Sequence, residues 1–402
     1  MSVLRFKDRN GDAFPPLSEH VVGEFTEELL TRNKKGLPLE IYSVNNKVGF
    51  VPQSEQFDEA GYLNGADTSI YMIAPPNTFA YNPARLDVGS IGYQNIGYDV
   101  QISSLYEVFR TNEQVDDLWL WYWFHSEHFK REVVRFQEGG VRQYFYYDKL
   151  EKTPIMLPSK EEQKKVAAFL SLYERKIENQ TSKIEALETR RKGLLQQIFS
   201  QEIRFKADDG SEFPDWEETM LSDVLTERKL KSTGNEEVYS VSVAKGLVNQ
   251  VEHLGRSFAA EDTSKYKIVK PGDVVYTKSP TGDFKWGIVK QSMIDKDVIV
   301  SPLYGIFIPK SYAFGFILDA YFSSSVRTHN YLITQIRKGA KNTINITNEV
   351  FLEKEISLPA SEEEARKIQA FVELLDRQIQ IEKKKLEAIK QIKKGLLQQM
   401  FV

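Results

Sequence analysis

The chain has 402 residues, of which 41% are hydrophobic and 12% aromatic, and this predicts two or three domains with packed cores rather than a disordered chain. It contains no cysteine, which excludes disulfides, thiolate nucleophiles and cysteine-bound zinc. Its formal net charge of −4 excludes a simple basic DNA-binding domain, so any anionic ligand must meet local patches of positive charge.

Residues 1–156 form the first predicted domain, which mixes α and β structure and carries a net charge of −7. Short runs of β-branched and aromatic residues, such as Ile41–Val44, alternate with turn residues and predict strands. One long helix is predicted from about Val115 to Phe136. It carries three tryptophans that we interpret as core residues rather than as a surface for stacking bases: Trp119, Trp121 and Trp123.

A glycine with a basic residue close behind follows this helix. The segment is Gly-Gly-Val-Arg-Gln, residues 139–143, and its candidate DNA contacts are Arg142 and Gln143. Arginine can bind guanine edges, glutamine can bind adenine edges, and glycine lets the backbone approach a duplex closely. The alternative is a hairpin turn with solvated side chains. A second candidate is the turn Tyr81–Arg85, which ends in the basic Arg85.

Residues 157–200 predict a single long helix, because apolar side chains recur every three or four positions and no proline interrupts them. The spacing is that of a heptad seam with one four-residue stutter after Tyr173, and Gln180 and Arg191 fill its polar positions. The apolar members of the seam are Val166, Phe169, Tyr173, Ile177, Ile184, Leu187, Leu194 and Ile198.

Residues 201–357 form the second predicted mixed domain, with a net charge of −2. Its predicted strands are Val274–Thr277, Val298–Val300 and Gly305–Ile308, and one helix is predicted from about Phe314 to Ile336. A segment Lys-Gly-Ala-Lys-Asn, residues 338–342, follows that helix as Gly-Gly-Val-Arg-Gln does in the first domain. The candidate DNA contacts here are the basic or amide side chains of predicted loops: Lys245, Lys278, Lys285, Lys338, Lys341 and Asn342.

Residues 358–402 predict a second long helix that repeats the first. It keeps the seam and its stutter, with Glu382 and Lys393 as the polar members. The apolar members of this seam are Ile368, Phe371, Leu375, Ile379, Leu386, Ile389, Leu396 and Met400.

The chain is a duplication with a period near 200 residues. LPSKEEQKKVAAFLSLYERKI from Leu157 returns as LPASEEEARKIQAFVELLDRQI from Leu358. KGLLQQIF, which ends at Phe199, returns 202 positions later as KGLLQQMF, which ends at Phe401. LRFKDRNGDAFP from Leu4 returns as IRFKADDGSEFP from Ile203, 199 positions later. The simplest packing makes the two helices antiparallel and brings the end of the chain back to its start. The molecule therefore resembles a ring that is cut open at one point.

No motif of an enzyme is present in the sequence. GxxxxGK[ST], GxSxG, HExxH and the Asn-Pro-Pro-aromatic loop of adenine methyltransferases are all missing. Asp215 with Glu227-Arg228-Lys229 superficially matches a nuclease pattern, which arises easily by chance. His125 and His128 could share a helix face but have no third ligand nearby, so we interpret them as a solvated helix edge and predict no metal site.

Two variable domains that alternate with two near-identical helices, each entered through LP…E and left through KGLLQQ(I/M)F, resemble the specificity subunit of a Type I restriction-modification system. The resemblance covers essentially the whole chain. It implies an α+β fold in which two mixed α/β target-recognition domains are separated by two long antiparallel coiled-coil helices, with an internal pseudo-two-fold repeat. Each domain would bind one half of a split DNA target, and the helices would set the spacer between the halves.

The resemblance also implies that this chain is non-catalytic. Methylation and ATP-dependent cleavage would belong to partners, namely two methyltransferase subunits and the restriction subunits, which use S-adenosylmethionine, ATP and Mg²⁺. The longest apolar run has seven residues, Leu118–Phe124, and the chain starts without a secretory signal, so a cytoplasmic protein is expected. The alternative is a coiled-coil adaptor that binds proteins and no DNA.

Overall fold

The computed structural model describes residues 4–46, 49–56, 68–137, 144–254, 263–335, 337–338 and 344–401. The chain divides into two compact units, of which unit 1 comprises residues 1–182 and 383–402 and unit 2 comprises residues 183–382. The predicted domains end at the long helices, whereas each unit also takes a part of both helices. Within the described residues, no helix is both long enough and apolar enough to cross a membrane.

Among its described residues, unit 1 contains ten short strands and four α-helices before the first long helix. The strands are β1 (Ser18–Val21), β2 (Thr26–Glu28), β3 (Ile41–Asn45), β4 (Gly49–Pro52), β5 (Met72–Ala74), β6 (Thr78–Tyr81), β7 (Ile91–Tyr93), β8 (Val100–Ile102), β9 (Glu107–Thr111) and β10 (Pro154–Leu157). The helices are α1 (Gln53–Gln56), α2 (Asp117–Phe124), α3 (Glu127–Gln137), α4 (Tyr147–Leu150) and the long α5 (Lys160–Phe199).

Unit 2 follows the same plan in the residues that the structure describes. Its strands are β11 (Glu217–Met220), β12 (Leu225–Glu227), β13 (Tyr239–Ser242), β14 (Gly246–Asn249), β15 (Lys267–Val269), β16 (Val274–Tyr276), β17 (Val289–Gln291), β18 (Val298–Val300), β19 (Gly305–Pro309), β20 (Arg337–Lys338), β21 (Ile344–Asn345) and β22 (Glu355–Leu358). Its helices are α6 (Leu221–Val224), α7 (Gln250–Leu254), α8 (Tyr312–Phe322), α9 (Ser325–Leu332), α10 (Asn348–Leu352) and the long α11 (Glu362–Met400).

The two units pair their strands in the same order. Unit 1 has a sheet of order β2-β9-β6-β7, and unit 2 has the equivalent order β12-β19-β16-β17. The pair β1-β10 corresponds to β11-β22, and β3-β4 and β5-β8 correspond to β13-β14 and β15-β18. A parallel contact between β3 and β8 in unit 1 is reduced in unit 2 to a single bridge from Val238 to Ile299. The duplication seen in the sequence is therefore a duplication of the fold.

Each unit has a main core and a smaller second core. The main core of unit 1 lies between the four-stranded sheet, helices α2 and α3, and the paired ends of the long helices, where Leu170 and Phe401 are buried. The main core of unit 2 is built alike, with Ile198 and Ile368 from the long helices. The second core lies between the remaining strands of each unit. The sequence prediction of mixed α and β domains is confirmed, as are the four strands predicted from residue runs.

The single helix predicted late in each domain is wrong, because the structure has two helices there. In unit 1 the break falls at His125 and Ser126, and the Ser126 Oγ accepts a hydrogen bond of 3.2 Å from the Phe129 amide. In unit 2 the Ser324 Oγ accepts from the Arg327 amide at 3.3 Å. A serine that satisfies a free amide at a helix start stabilises a new N-terminus, which apolar periodicity alone does not show.

The tryptophans of this region are mostly core, as predicted. Trp119 and Trp123 are 2% and 1% exposed, and Trp121 is half-buried against the His125 ring. The solvated edge predicted for the two histidines is wrong. His125 is half-buried, its Nδ1 lies 2.7 Å from the Trp121 carbonyl oxygen, and burial lowers its pKa. His128 is half-buried as well.

The long helices pack side by side and antiparallel within each unit. All sixteen apolar seam positions and the four polar ones are buried or half-buried in the described helices. In unit 2, Arg191 forms a two-pronged ion pair with Asp376, with Nη2 2.9 Å from Oδ2. In unit 1, Glu174 and Lys393 form the equivalent ion pair. Asp376 lies 202 positions after Glu174, and Lys393 lies 202 positions after Arg191.

A repeated clasp fixes the start of each long helix. Arg5 pairs with Glu162 in unit 1, and Arg204 pairs with Glu364 in unit 2 with Nε 2.8 Å from Oε1. Both carboxylates are buried, at 2% and 0% exposure. Each arginine also donates at 2.6 Å to the carbonyl oxygen of the proline ten residues on. The clasp is the structural role of the repeated LRFK…FP and IRFK…FP segments.

The start of the chain continues the end of α11. The Leu4 amide donates to the Gln399 carbonyl oxygen at 2.8 Å in unit 1, and the Ile203 amide donates to the Gln197 carbonyl oxygen at 3.2 Å in unit 2. The second contact joins consecutive parts of the chain, and the first joins its two ends. The predicted α+β fold is confirmed, with long helices that pack antiparallel within each unit and with an internal repeat.

Candidate functional site

In unit 1, the loop after β6 and the chain before α4 lie against each other. The Phe145 amide donates to the Pro83 carbonyl oxygen at 3.0 Å, and Phe145 itself is buried in the main core. Arg85 lies two residues after Pro83 and is exposed. Backbone hydrogen bonds among Asn82, Arg85 and Ser90 close the turn that contains it. The structure therefore brings the predicted candidate Arg85 next to residues 144–146. The other candidates of this unit, Arg142 and Gln143, lie outside the described residues.

Two exposed tyrosines flank the anchored Phe145. The rings of Tyr144 and Tyr146 are stacked with centroids 5.5 Å apart and 21° between their planes, and they are 51% and 49% exposed. Lys149 holds this segment by donating to the Tyr144 carbonyl oxygen at 2.6 Å. Exposed aromatic rings can pack against nucleic-acid bases. Sequence reasoning missed this pair, although the alternation of Tyr144, Phe145 and Tyr146 is the sign of a strand-like segment with one buried and two exposed rings.

A group of carboxylates lies at the same end of the unit 1 sheet. Glu107 on β9 is directly opposite Tyr81 on β6, and Glu28 on β2 lies beside them. Burial, followed by a hydrogen bond to Glu28 and the negative charge of Glu28, raises the pKa of Glu107 to about 7. The Tyr81 hydroxyl is fully buried without a hydrogen-bond partner among the described residues. Sequence reasoning missed these groups because only basic and amide side chains were considered.

In unit 2, the equivalent end of the sheet carries lysines. Lys278 follows β16, is half-buried, and makes no hydrogen bond or ion pair with a residue that the structure describes. Burial lowers the pKa of Lys278, and the positive charge of Lys267 lowers it further. Lys267 donates to the Tyr304 carbonyl oxygen at 2.6 Å, and Lys229 lies 3.8 Å from Glu227. A half-buried cation without a counterion is costly unless a ligand completes its hydrogen bonds.

The loop from Lys278 to Gly287 is pinned at both ends. Gly287 has φ +96°, and a Cβ at this position would lie 1.8 Å from the Thr277 carbonyl oxygen, so only glycine fits. The Thr277 amide donates to the Ile288 carbonyl oxygen at 2.9 Å. Lys285 is exposed, and it lines a groove of about 220 Å³ with Trp286 and the first turn of α9. The predicted candidates Lys278 and Lys285 thus share one ordered loop.

The remaining candidates of unit 2 are distributed differently. Lys245 lies in the exposed turn between β13 and β14 and has no described side-chain contact with the loop of Lys278. Lys338 lies in β20, which pairs with β21. Lys341 and Asn342 lie outside the described residues. After the β20-β21 hairpin the chain returns to Glu227, which lies beside Lys229. Asn348 at the start of α10 donates to Glu227 at 2.6 Å.

The residues of the weak nuclease pattern are all engaged elsewhere. Asp215 lies 3.6 Å from Arg204 of the clasp. Arg228 forms a buried two-pronged pair with Asp273, with distances of 2.6 and 2.9 Å. Glu227 accepts from Asn348, as described above. Across the described parts of both units, no three His, Asp or Glu side chains come together in a way that could hold a metal ion.

Fold and side chains together define a duplicated binding protein, in which the same scaffold presents unlike loops in its two units and two matched helices connect them. A family model described as the Type I restriction modification DNA specificity domain matches residues 53–189 and 215–391. The chain belongs to this family. Each match covers a large part of one predicted domain and much of the long helix that follows it.

Relatives and solved structures agree with this membership. The specificity subunit of the Type I restriction enzyme MjaVIII from Methanocaldococcus jannaschii is 28% identical over 318 residues, which cover 73% of this chain and 72% of the relative. The crystal structure of the S subunit of a Type I restriction-modification system from M. genitalium has a TM-score of 0.52 and 14% identity, and the match covers 100% of this chain and 99% of that chain.

A second solved structure has a TM-score of 0.58 and 14% identity, with 96% of this chain and 97% of that chain covered. It is described as showing complex assembly and conformational transition of the type I R-M system. At these identities both structures show that the fold is shared.

Proposed function

We propose that this protein is the sequence-specific DNA-recognition subunit of a Type I restriction-modification complex, and that each unit binds one half of a bipartite DNA target. One observation carries the proposal. The two units share a strand order, yet the equivalent ends of their sheets differ in key side chains, since unit 1 has Glu107 and Pro83 where unit 2 has Gly305 and Lys278. One backbone plan with unlike side chains is suited to two different half-sequences.

The paired helices are proposed to set the spacer between the half-sites. Helices of about 40 residues at about 1.5 Å per residue are about 60 Å long, and half-sites one turn apart lie about 34 Å from each other along DNA. The antiparallel packing, the buried seams and the repeated ion pairs support a stiff connection. Because the two arms have equivalent surfaces, each should dock one methyltransferase subunit.

The chemistry is proposed to belong to the partners. The methyltransferase would use S-adenosylmethionine, and the restriction subunits would use ATP and Mg²⁺. This chain would bind double-stranded DNA in the cytoplasm as a non-catalytic subunit. Because this chain has a net charge of −4, the partners would supply much of the positive charge that neutralises the DNA phosphates.

Long-read methylation mapping tests the proposal directly. The host genome is compared with and without this gene, and the gene should be required for methylation of one motif made of two fixed parts around an unread spacer. A methylome that does not change would contradict DNA recognition. The coiled-coil adaptor would then be favoured, and it predicts no DNA affinity even with every partner present.

Native mass spectrometry tests the partners. With the methyltransferase in excess, the complex should contain two methyltransferase copies for each specificity chain. A single copy at saturation would contradict equivalent docking faces on the two arms.

A further inference from the structure

Lys278 occupies a position that calls for a ligand. It is half-buried at the start of an ordered loop, next to a second lysine, and no carboxylate among the described residues pairs with it. Two carboxylates, Glu227 and Glu349, act on Lys278 through their charge without forming an ion pair with it, and Glu227 is already engaged by Asn348 and Lys229. A lysine held in this way can donate hydrogen bonds outward, and the guanine edge in the major groove offers two acceptors, O6 and N7.

The strand register identifies the equivalent position in unit 1. Tyr276 on β16 is opposite Gly305 on β19, and Tyr81 on β6 is opposite Glu107 on β9. Two residues beyond the tyrosine, Lys278 in unit 2 corresponds to Pro83 in unit 1. The residue opposite the tyrosine is Glu107 in unit 1, which has a carboxylate, and Gly305 in unit 2, which has no side chain.

Unit 1 has no side-chain donor at the position that corresponds to Lys278, because this position is Pro83. Pro83 has no amide hydrogen, and its carbonyl oxygen is occupied by the Phe145 amide. Glu107 presents an acceptor where unit 2 has Gly305, and the buried hydroxyl of Tyr81 beside it has no partner among the described residues. Glu28 is not part of the contrast, because Glu227 is its equivalent in unit 2. The two units therefore differ in hydrogen-bonding groups at two equivalent positions of this place, with Pro83 in place of Lys278 and Glu107 in place of Gly305.

From this contrast, and resting on the proposed function, we infer that each of the two equivalent sheet ends holds one base-reading side chain, namely Lys278 after β16 in unit 2 and Glu107 at the start of β9 in unit 1. Lys278 donates to a guanine in the half-site of unit 2, and Glu107 accepts from the exocyclic amino group of a cytosine in the half-site of unit 1. Carboxylates accept from cytosine N4, and lysine donates to guanine O6 and N7, in the major groove.

Methylation mapping of single variants tests this inference. The full chain is co-expressed with its methyltransferase partner, and the motif is compared for wild type, Lys278→Met, Lys278→Gln and Glu107→Gln. Lys278→Met should relax one guanine position in one half-site, with a loss of discrimination of roughly 5- to 150-fold. Lys278→Gln should shift that position toward adenine, because glutamine pairs with adenine N6 and N7. Glu107→Gln should relax one cytosine position in the other half-site.

Lys310→Met is the matched control. Lys310 is an exposed lysine of the same unit at the opposite end of β19 from Gly305. It should leave every position of the motif unchanged.

The outcomes separate the inference from the proposed function. If the wild type yields no bipartite motif, the proposed function fails. If the wild type yields one, and Lys278→Met leaves its bases unchanged or weakens methylation equally at all sequences, Lys278 contacts a phosphate or nothing and the inference fails. Loss of all methylation in both Lys278 variants also overturns it, because a base contact discriminates among sequences. Relaxation of the same half-site by the Lys278 and Glu107 variants would contradict the assignment to separate units.

Discussion

At the scale of single residues, Glu107 is held in an environment that favours its protonated form. Burial, then the hydrogen bond and charge of Glu28, raise its pKa from 4.5 to about 7. The folded state therefore binds this proton more tightly than the unfolded state does. The contribution to stability is complete below about pH 4.5 and is lost as the pH rises to about 7.

Glu107→Gln should remove this dependence on pH. Above pH 7 the variant should be more stable than the wild type by about 1 kcal/mol, a value discounted because the side chain is half-exposed. At pH 5 the difference should be close to zero. Hydrogen exchange of the β6 and β9 amides, converted to opening free energies at pH 5, 6 and 8, measures the effect.

Glu113→Gln provides the control for this prediction, since Glu113 is an exposed carboxylate in the loop after β9. It should leave the pH profile of these amides unchanged. A Glu107→Gln profile that runs parallel to the wild type would show that Glu107 is ionised throughout.

At the scale of elements, the clasp of Arg204 and Glu364 anchors the first turns of α11. Glu364 is fully buried, so removal of its partner leaves a carboxylate without compensation. Arg204→Ala should destabilise this junction by about 3 kcal/mol, which corresponds to roughly 150-fold faster exchange of the amides of residues 362–372. Hydrogen exchange with mass spectrometry resolves this segment.

Arg366→Ala tests the same helix without touching the clasp. Arg366 is exposed and pairs with Glu362 one turn away at 3.2 Å, so its loss should cost under about 0.5 kcal/mol. Adding Glu364→Gln to Arg204→Ala should recover part of the loss, because a buried amide costs less than a buried charge. Equal effects of the two arginine variants would argue against the clasp.

The ion pair of Arg191 and Asp376 links the two helices within unit 2. Their side chains are 26% and 41% exposed, so the expected coupling is about 1 kcal/mol rather than the larger value of a buried pair. Arg191→Asp and Asp376→Arg should each destabilise the helix pair, and the double variant should restore most of the loss. Urea unfolding of the four proteins gives the coupling. A double variant as unstable as the sum of both changes would show that the pair adds no stability.

The elements that sequence reasoning predicted best are those with a strong repeat. The long helices carry an uninterrupted seam over about 40 residues, and duplication provided a second copy of each observation. The break at Ser126 was missed because one capping hydroxyl does not alter apolar periodicity. Lys278 and Lys285 were found as basic residues in a predicted loop. Glu107 and Tyr144 were not, because their roles depend on which strand lies opposite and which neighbour is buried.

At the scale of the whole molecule, the arms should act as a ruler if they set the spacer. Insertion of one heptad into α5 and one at the opposite point of α11 lengthens each helix by about 10.5 Å, which corresponds to about three base pairs of DNA. The methylated motif should keep both half-sequences while its unread spacer grows. Methylation mapping of the variant reports the new motif.

Insertion of four residues in place of seven serves as the contrast for this prediction, because it rotates the seam and breaks its heptad register. It should lower the stability of the helix pair as well as altering the spacer. A spacer that stays constant in the heptad variant would refute the ruler.

The repeated junctions also have a consequence for inheritance. KGLLQQ and the LP…E entry occur twice in one gene. Related genes would therefore share similar sequence on either side of each unit, where crossovers between them would occur. A crossover there would import a foreign unit whose clasp and seam already fit the recipient. If each unit binds one half of the target, as proposed, such an exchange would replace one half of the target and leave the paired helices unchanged.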